Sequence, residues 1–68
     1  MDMRALVGQN VRQRRAALGM TQEELAEAAG VSQQYVSSLE RGRRNPTILT
    51  LWDLSRPLKA TPADLLTP

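Results

Sequence analysis

TQEELAEAAGVSQQYVSSLER, residues Thr21 to Arg41, decides how the rest of the chain is read. It divides into two short helices around a tight turn. Thr21 is a good helix N-cap, and Glu24 follows three residues later, where a capping box requires it. Met20 and Leu25 flank that cap as a hydrophobic staple. Leu25, Ala26 and Ala29 give the first of the two helices one small apolar face. Gly30 ends it, because glycine adopts the left-handed C-terminal conformation at least cost. Ser32 then caps a second helix, with Val31 and Val36 as its staple. Two capped helices about a glycine-containing turn form a helix-turn-helix.

The second helix has two faces. At about 100° per residue, Gln33, Ser37, Arg41, Gln34 and Ser38 occupy one arc of about 140°. Val36 and Leu39 lie on the opposite side, toward a core. The polar arc carries two amides, two hydroxyls and a guanidinium, and no carboxylate. Its width and chemistry suit the DNA major groove, whose base edges offer paired donors and acceptors. Gln33, Gln34, Ser37 and Ser38 are therefore the candidate base-reading residues. Most polar helix faces are simply solvated; the turn before this one and the basic loop after it favour nucleic acid. Arg41-Gly42-Arg43-Arg44-Asn45-Pro46 is that loop. Arg41, Arg43, Arg44 and Asn45, with Gln22 at the start of the preceding helix, are the candidate phosphate contacts. Gly42 can supply a turn conformation closed to other residues.

The pattern R-x-x-R-x-x-x-G-M-T-Q-E-E-L-A-x-x-A-G-V-S-x-x-Y-V-S-x-L-E-R-G-x-x-N-P-T runs from Arg12 to Thr47. It resembles the Xre family of helix-turn-helix repressors, related to the phage repressor and Cro domains, and a looser likeness extends to about Leu66. The resemblance implies that the helix from Gln33 lies in the major groove of a two-fold operator, the docking geometry known for that family. It also implies that Arg15 pairs with Glu40, late in the third helix, as a clamp between helices. Relatives include phage repressors, restriction-modification controllers, antitoxins and general regulators.

Outward from the motif, residues 3 to 18 read as a first helix, with Leu6, Val7, Val11 and Leu18 as an apolar stripe. Gly8 weakens its middle slightly, and Gly19 ends it at C′. Arg14 and Arg15 in its last turns suit the helix dipole. Thr47 caps a fourth helix, whose Ile48, Leu51 and Leu54 are expected to pack on the first three; Trp52 is expected in or beside the core. Pro57 cannot continue a helix, so this one should stop near Ser55 or Arg56. Lys59 falls where related chains carry a glycine cap. Thr61 and Pro62 open a last short helix to Leu66. The expected fold is all-α: one domain over residues 1–68, with five short helices at about 3–18, 22–29, 33–40, 48–56 and 62–66. Leu58, Leu65 and Leu66 exceed what so small a core needs, and are expected at a homodimer interface.

Composition excludes other classes. Without cysteine or histidine there is no disulfide, no thiolate or imidazole metal ligand, and no histidine to activate a serine. Neither a cofactor, a metal nor a small-molecule ligand is implied, and no enzymatic activity is expected. No apolar run approaches the ~18–20 residues of a membrane span, and no secretory leader is evident, so a cytoplasmic protein is expected. The net charge of +2 says little about partners, but its distribution says more. Arg12, Arg14 and Arg15 form one cluster and the loop arginines another, while Glu23, Glu24 and Glu27 sit on a face expected to point away from DNA. The function expected is sequence-specific binding of double-stranded DNA as a transcriptional regulator, a repressor. A helical adaptor binding a protein through the same fold is the alternative, and such a chain should bind no DNA.

Overall fold

The computed structural model describes residues 2–68, and every regular element among them is a helix. In order these are α1 (Met3–Ala17), α2 (Gln22–Ala29), α3 (Gln33–Glu40), α4 (Ile48–Ser55) and α5 (Pro62–Leu65). No helix is long and apolar enough to cross a membrane among the described residues.

Each helix begins on a side-chain cap. Asp2 accepts from the backbone N–H of Arg4 at the start of α1. At α2 the capping box is complete: Glu24 N–H donates to Thr21 Oγ1 at 3.0 Å, and Thr21 N–H donates to Glu24 Oε1 at 2.8 Å. Ser32 caps α3 through the Tyr35 N–H. Thr47 caps α4, and Thr61 with Asp64 makes a second capping box at α5. The backbone bond from Thr61 holds the Asp64 carboxyl below its ordinary range. Gly30 takes φ 77° between α2 and α3 with open space where a Cβ would stand, so the turn needs glycine for its conformation alone.

The core is almost wholly aliphatic. Leu25, Leu39, Leu54, Leu58 and Leu65 are its largest fully buried side chains, joined by Val11 and Val36. Burying a leucine contributes roughly 1.5–3 kcal/mol, so these five are the main apolar stabilisation of the fold. α3 packs between α1 and α2, while α5 packs on α1 and α4. Asn10 on α1 ties the far end in place, donating through Nδ2 to the carbonyls of Leu65 and Thr67, each at 2.9 Å.

Several expectations need correction. α1 ends at Ala17, and Leu18 is its exposed C-cap rather than part of the stripe; Val7 and Val11 bury, and Leu6 only partly. Gly8 is not a mere weak point. A Cβ there would stand 2.3 Å from the carbonyl oxygen of Leu39, so the absent side chain lets α1 lie directly on the end of α3. On α4, Leu51 and Leu54 are buried, but Ile48 is 80% and Trp52 51% exposed, with Leu49 at 73%. α4 ends at Ser55 as Pro57 requires, yet the chain turns on without diverging. Ala60 N–H donates to Ser55 O and Lys59 N–H to Arg56 O. Lys59 takes φ 55°, the left-handed conformation a glycine would adopt freely. That turn drops Leu58 into the core, and α5 brings in Leu65. Both were expected on a dimer surface; both instead close the protomer's own interior, and only Leu66, the C-cap of α5, stays exposed.

Candidate nucleic-acid interface

α3 is held by its apolar side. Val36 and Leu39 are fully buried, so the opposite arc must face out. Gln33 and Gln34 are exposed, and Ser37 and Ser38 half-buried. With Arg41 and Arg44 these four residues border one concavity of about 330 Å³. A second, of about 280 Å³, adjoins it along Ser37 and Arg41 and is walled by Arg12, Arg15, Gln22 and Glu40. The polar face of α3 therefore has a basic margin on each side.

Glu40 is the one carboxylate among the described residues that border these two concavities, and it is neutralised. Arg15 donates to it through Nε at 2.6 Å and Nη2 at 3.0 Å, a bidentate pair. Nη1 of the same guanidinium donates to the Met20 carbonyl at 2.7 Å. The two side chains keep only 15% and 4% of their surface exposed. The hydrogen bond to Glu40 raises the Arg15 pKa above its ordinary value. The expected link between α1 and the end of α3 is thus present.

From Glu40 the polarity of the face can be followed outward. A carboxylate only accepts. Gln22 must therefore turn its amide nitrogen toward Glu40 Oε1, at 3.0 Å. That leaves Gln22 Oε1 as an acceptor, and Gln33 Nε2 approaches it at 3.5 Å, a long contact. Gln33 is left with its own oxygen and one N–H free, an acceptor and a donor side by side. Gln22, expected at a phosphate, thus stands between Glu40 and Gln33 with one N–H to spare.

The basic loop is tied back to α3. Gly42 N–H donates to Leu39 O at 2.9 Å, and Arg43 N–H to Ser38 O at 3.0 Å. Gly42 has φ 75°, and a Cβ there would lie 3.2 Å from Ala5 Cα, so conformation and space both ask for glycine. Arg41, Arg43 and Arg44 are all exposed, but only Arg41 and Arg44 border the concavity of α3. Asn45 lies apart, beside a small apolar groove with Met3, Pro46, Leu51 and Leu66. Tyr35 was not singled out in the sequence; its half-buried ring carries the Arg44 guanidinium 5.1 Å above its centroid. Glu27 lines a separate cleft with Asp53 and Arg56, away from the reading face. No cluster of potential metal ligands occurs among the described residues.

Comparison with known proteins agrees with this fold. The HTH_3 helix-turn-helix family model matches residues 11–66. An HTH-type transcriptional regulator of Sinorhizobium fredii is 54% identical over 68 residues, covering 100% of this chain and 88% of the relative. The crystal structure of the Neisseria hypothetical transcription factor NHTF superposes with a TM-score of 0.94 at 36% identity, over 98% of this chain and 77% of that one. SinR of Bacillus subtilis, a master regulator for biofilm formation solved in complex with DNA, superposes at 0.85 with 40% identity, over 90% of this chain and 98% of that one. This chain belongs to the HTH_3 helix-turn-helix family and is a DNA-binding transcriptional regulator.

Proposed function

We propose that α3 enters the major groove of a two-fold operator and that the protein acts there, in the cytoplasm, as a repressor. Gln33, Gln34, Ser37 and Ser38 face base edges, while Arg41, Arg43 and Arg44 meet phosphates. The observation that carries this reading is the arc of α3 itself. All four polar side chains open into one concavity with two arginines, and the neighbouring carboxylate is covered by Arg15. Gln22 acts first as a brace for Gln33, with its spare N–H available to a phosphate. Asn45 is a weaker candidate, because it borders a different groove.

The free acceptor and donor on Gln33 match the N6 amino group and N7 of adenine, the bidentate pairing glutamine favours. Selection of bound sequences from a random DNA pool tests this. An adenine should be fixed at one position of each half-site, and Gln33→Ala should relax that position while leaving the others unchanged. A pool that yields no enriched sequence would overturn specific readout.

One copy cannot supply enough specificity. An eight-residue helix is about 12 Å long, which spans only three or four base pairs. Two copies on half-sites one helical turn apart double the information. The surface that joins them is the exposed side of α4, with Ile48, Leu49 and Trp52, in place of Leu58 and Leu65. Asp53 and Arg56 flank it, so each copy carries both signs of charge, as a self-complementary two-fold contact requires. The body measures 29 × 21 × 21 Å. A two-fold operator asks the paired recognition helices to lie one DNA turn, ~34 Å, apart, a span of the same order as the body itself.

A further inference from the structure

Arg15 and Arg44 are both held in place, but by opposite means. Arg15 has Nε, Nη1 and Nη2 all engaged, on Glu40 and the Met20 carbonyl. Its charge is cancelled and three of its five N–H donors are occupied. Arg44 forms no ion pair or side-chain hydrogen bond among the described residues, and its guanidinium lies over the Tyr35 ring. A cation on an aromatic face is attracted by the ring quadrupole, and this contact consumes none of the five N–H donors. Arg44 thus keeps its full charge and its whole donor fork while its position is restrained.

The ring is itself fixed. Tyr35 sits in the first turn of α3, one residue before the fully buried Val36, and its half-buried side chain packs against the core. It projects beyond the Ser38 side of the reading arc, at about 200° on a wheel where Gln33 is zero. Arg12 and Glu40 lie at the other margin. A major groove about 12 Å wide is bounded by one phosphate strand on each side of the inserted helix. The Tyr35–Arg44 pair is on the side of α3 along which the second strand would pass.

We propose that Tyr35 is a positioning residue for DNA binding: its ring pre-orders the Arg44 guanidinium, with every donor free, for a phosphate on the strand beyond Ser38. This rests on α3 being the groove-reading helix. An unrestrained surface arginine must lose rotamer freedom when it binds, and pre-ordering removes part of that cost. The effect is independent of base sequence.

A double-mutant cycle on DNA tests it, with Tyr35→Leu, Tyr35→Phe, Arg44→Ala and the Tyr35→Leu/Arg44→Ala pair. Affinities for mixed-sequence DNA are measured across a salt series. Wild-type binding that weakens steeply with salt establishes phosphate contact first, and its absence would count against the groove reading alone. Arg44→Ala should reduce the salt slope by about one unit. Tyr35→Leu should weaken binding by about two- to fivefold with the slope nearly kept, because Arg44 still reaches the phosphate without being held there. Tyr35→Phe, which keeps the ring, should match wild type. In the Arg44→Ala background the Tyr35→Leu change should cost nothing further. Additive losses in the pair, or a Tyr35→Phe defect as large as that of Tyr35→Leu, would overturn the proposal. A proton NMR measurement on the wild-type protein without DNA guards against a Tyr35→Leu variant that fails to fold. Arg44 Cδ protons should be shifted upfield by the ring current, and random-coil positions for them would overturn the pre-ordering outright.

Discussion

At the scale of single residues, Glu40 has the most attached to it. Its carboxylate receives two bonds from Arg15 and one from Gln22. Glu40→Ala would strand a guanidinium that is only 15% exposed and release the brace behind Gln33. Removing one partner of a largely buried pair costs far more than a surface change, so unfolding should show a loss of roughly 3 kcal/mol. Combined with Arg15→Ala, the losses should be clearly non-additive, and additivity within a few tenths of a kcal/mol would mean that the pair is not coupled. Lys59 offers the opposite sign. It is exposed and takes φ 55° with a side chain that resists that conformation. Lys59→Gly should therefore raise stability by about 1 kcal/mol, measured by chemical denaturation. Both sites were legible in the sequence, Glu40 through its place in the motif and Lys59 as a missing glycine cap. Tyr35 was not, because its partner lies nine positions away across a loop, and no helical spacing relates them.

At the scale of elements, the capped helices were the legible part. α2 and α3 begin and end where Thr21, Gly30 and Ser32 dictate, since a cap is a local bond that needs no knowledge of the rest of the chain. Packing partners were less legible. Leu51, Leu54 and Leu58 recur at helical spacing and form one buried row, but the break expected at Pro57 hid the continuity of that row through the following turn. Ile48 shares the three-residue spacing with Leu51, yet it lies in the first turn of α4, where no other helix covers it. Gly8 was misread for a related reason: helix propensity concerns one helix, whereas the tight approach to Leu39 concerns two. Gly8→Ala should improve intrinsic helicity by about 1 kcal/mol and still destabilise the protein. The added methyl meets backbone rather than a mobile side chain, so α1 and α3 must separate, at a net cost of about 1–3 kcal/mol. Thermal unfolding of the variant checks the sign; an unchanged or raised midpoint would mean that the helices can yield without loss.

At the scale of the whole molecule, the open question in the fold is why so small a protein leaves Ile48, Leu49 and Trp52 outside. Single exposed apolar residues are ordinary, but three on one short helix make a patch of the kind that marks an interaction surface. The interior already holds Leu58 and Leu65, so these three are surplus to the core. A second copy is the partner that the proposed two-fold operator demands, and pairing through residues that do not border the concavity of α3 would leave both polar arcs free. Leu49→Glu together with Trp52→Glu should abolish cooperative binding to a full two-fold site, because the charges oppose each other across the axis. Binding of one chain to one half-site should remain, since neither residue borders the reading concavity. Folding should persist as well, as both side chains are already more than half exposed. Sedimentation on a full-site duplex and on a half-site duplex separates the cases. Two chains per full site for wild type and independent binding for the variant support the α4 contact. Unaltered cooperativity in the variant would move the contact elsewhere, and Leu66, at the end of α5, is then the next exposed apolar residue to substitute.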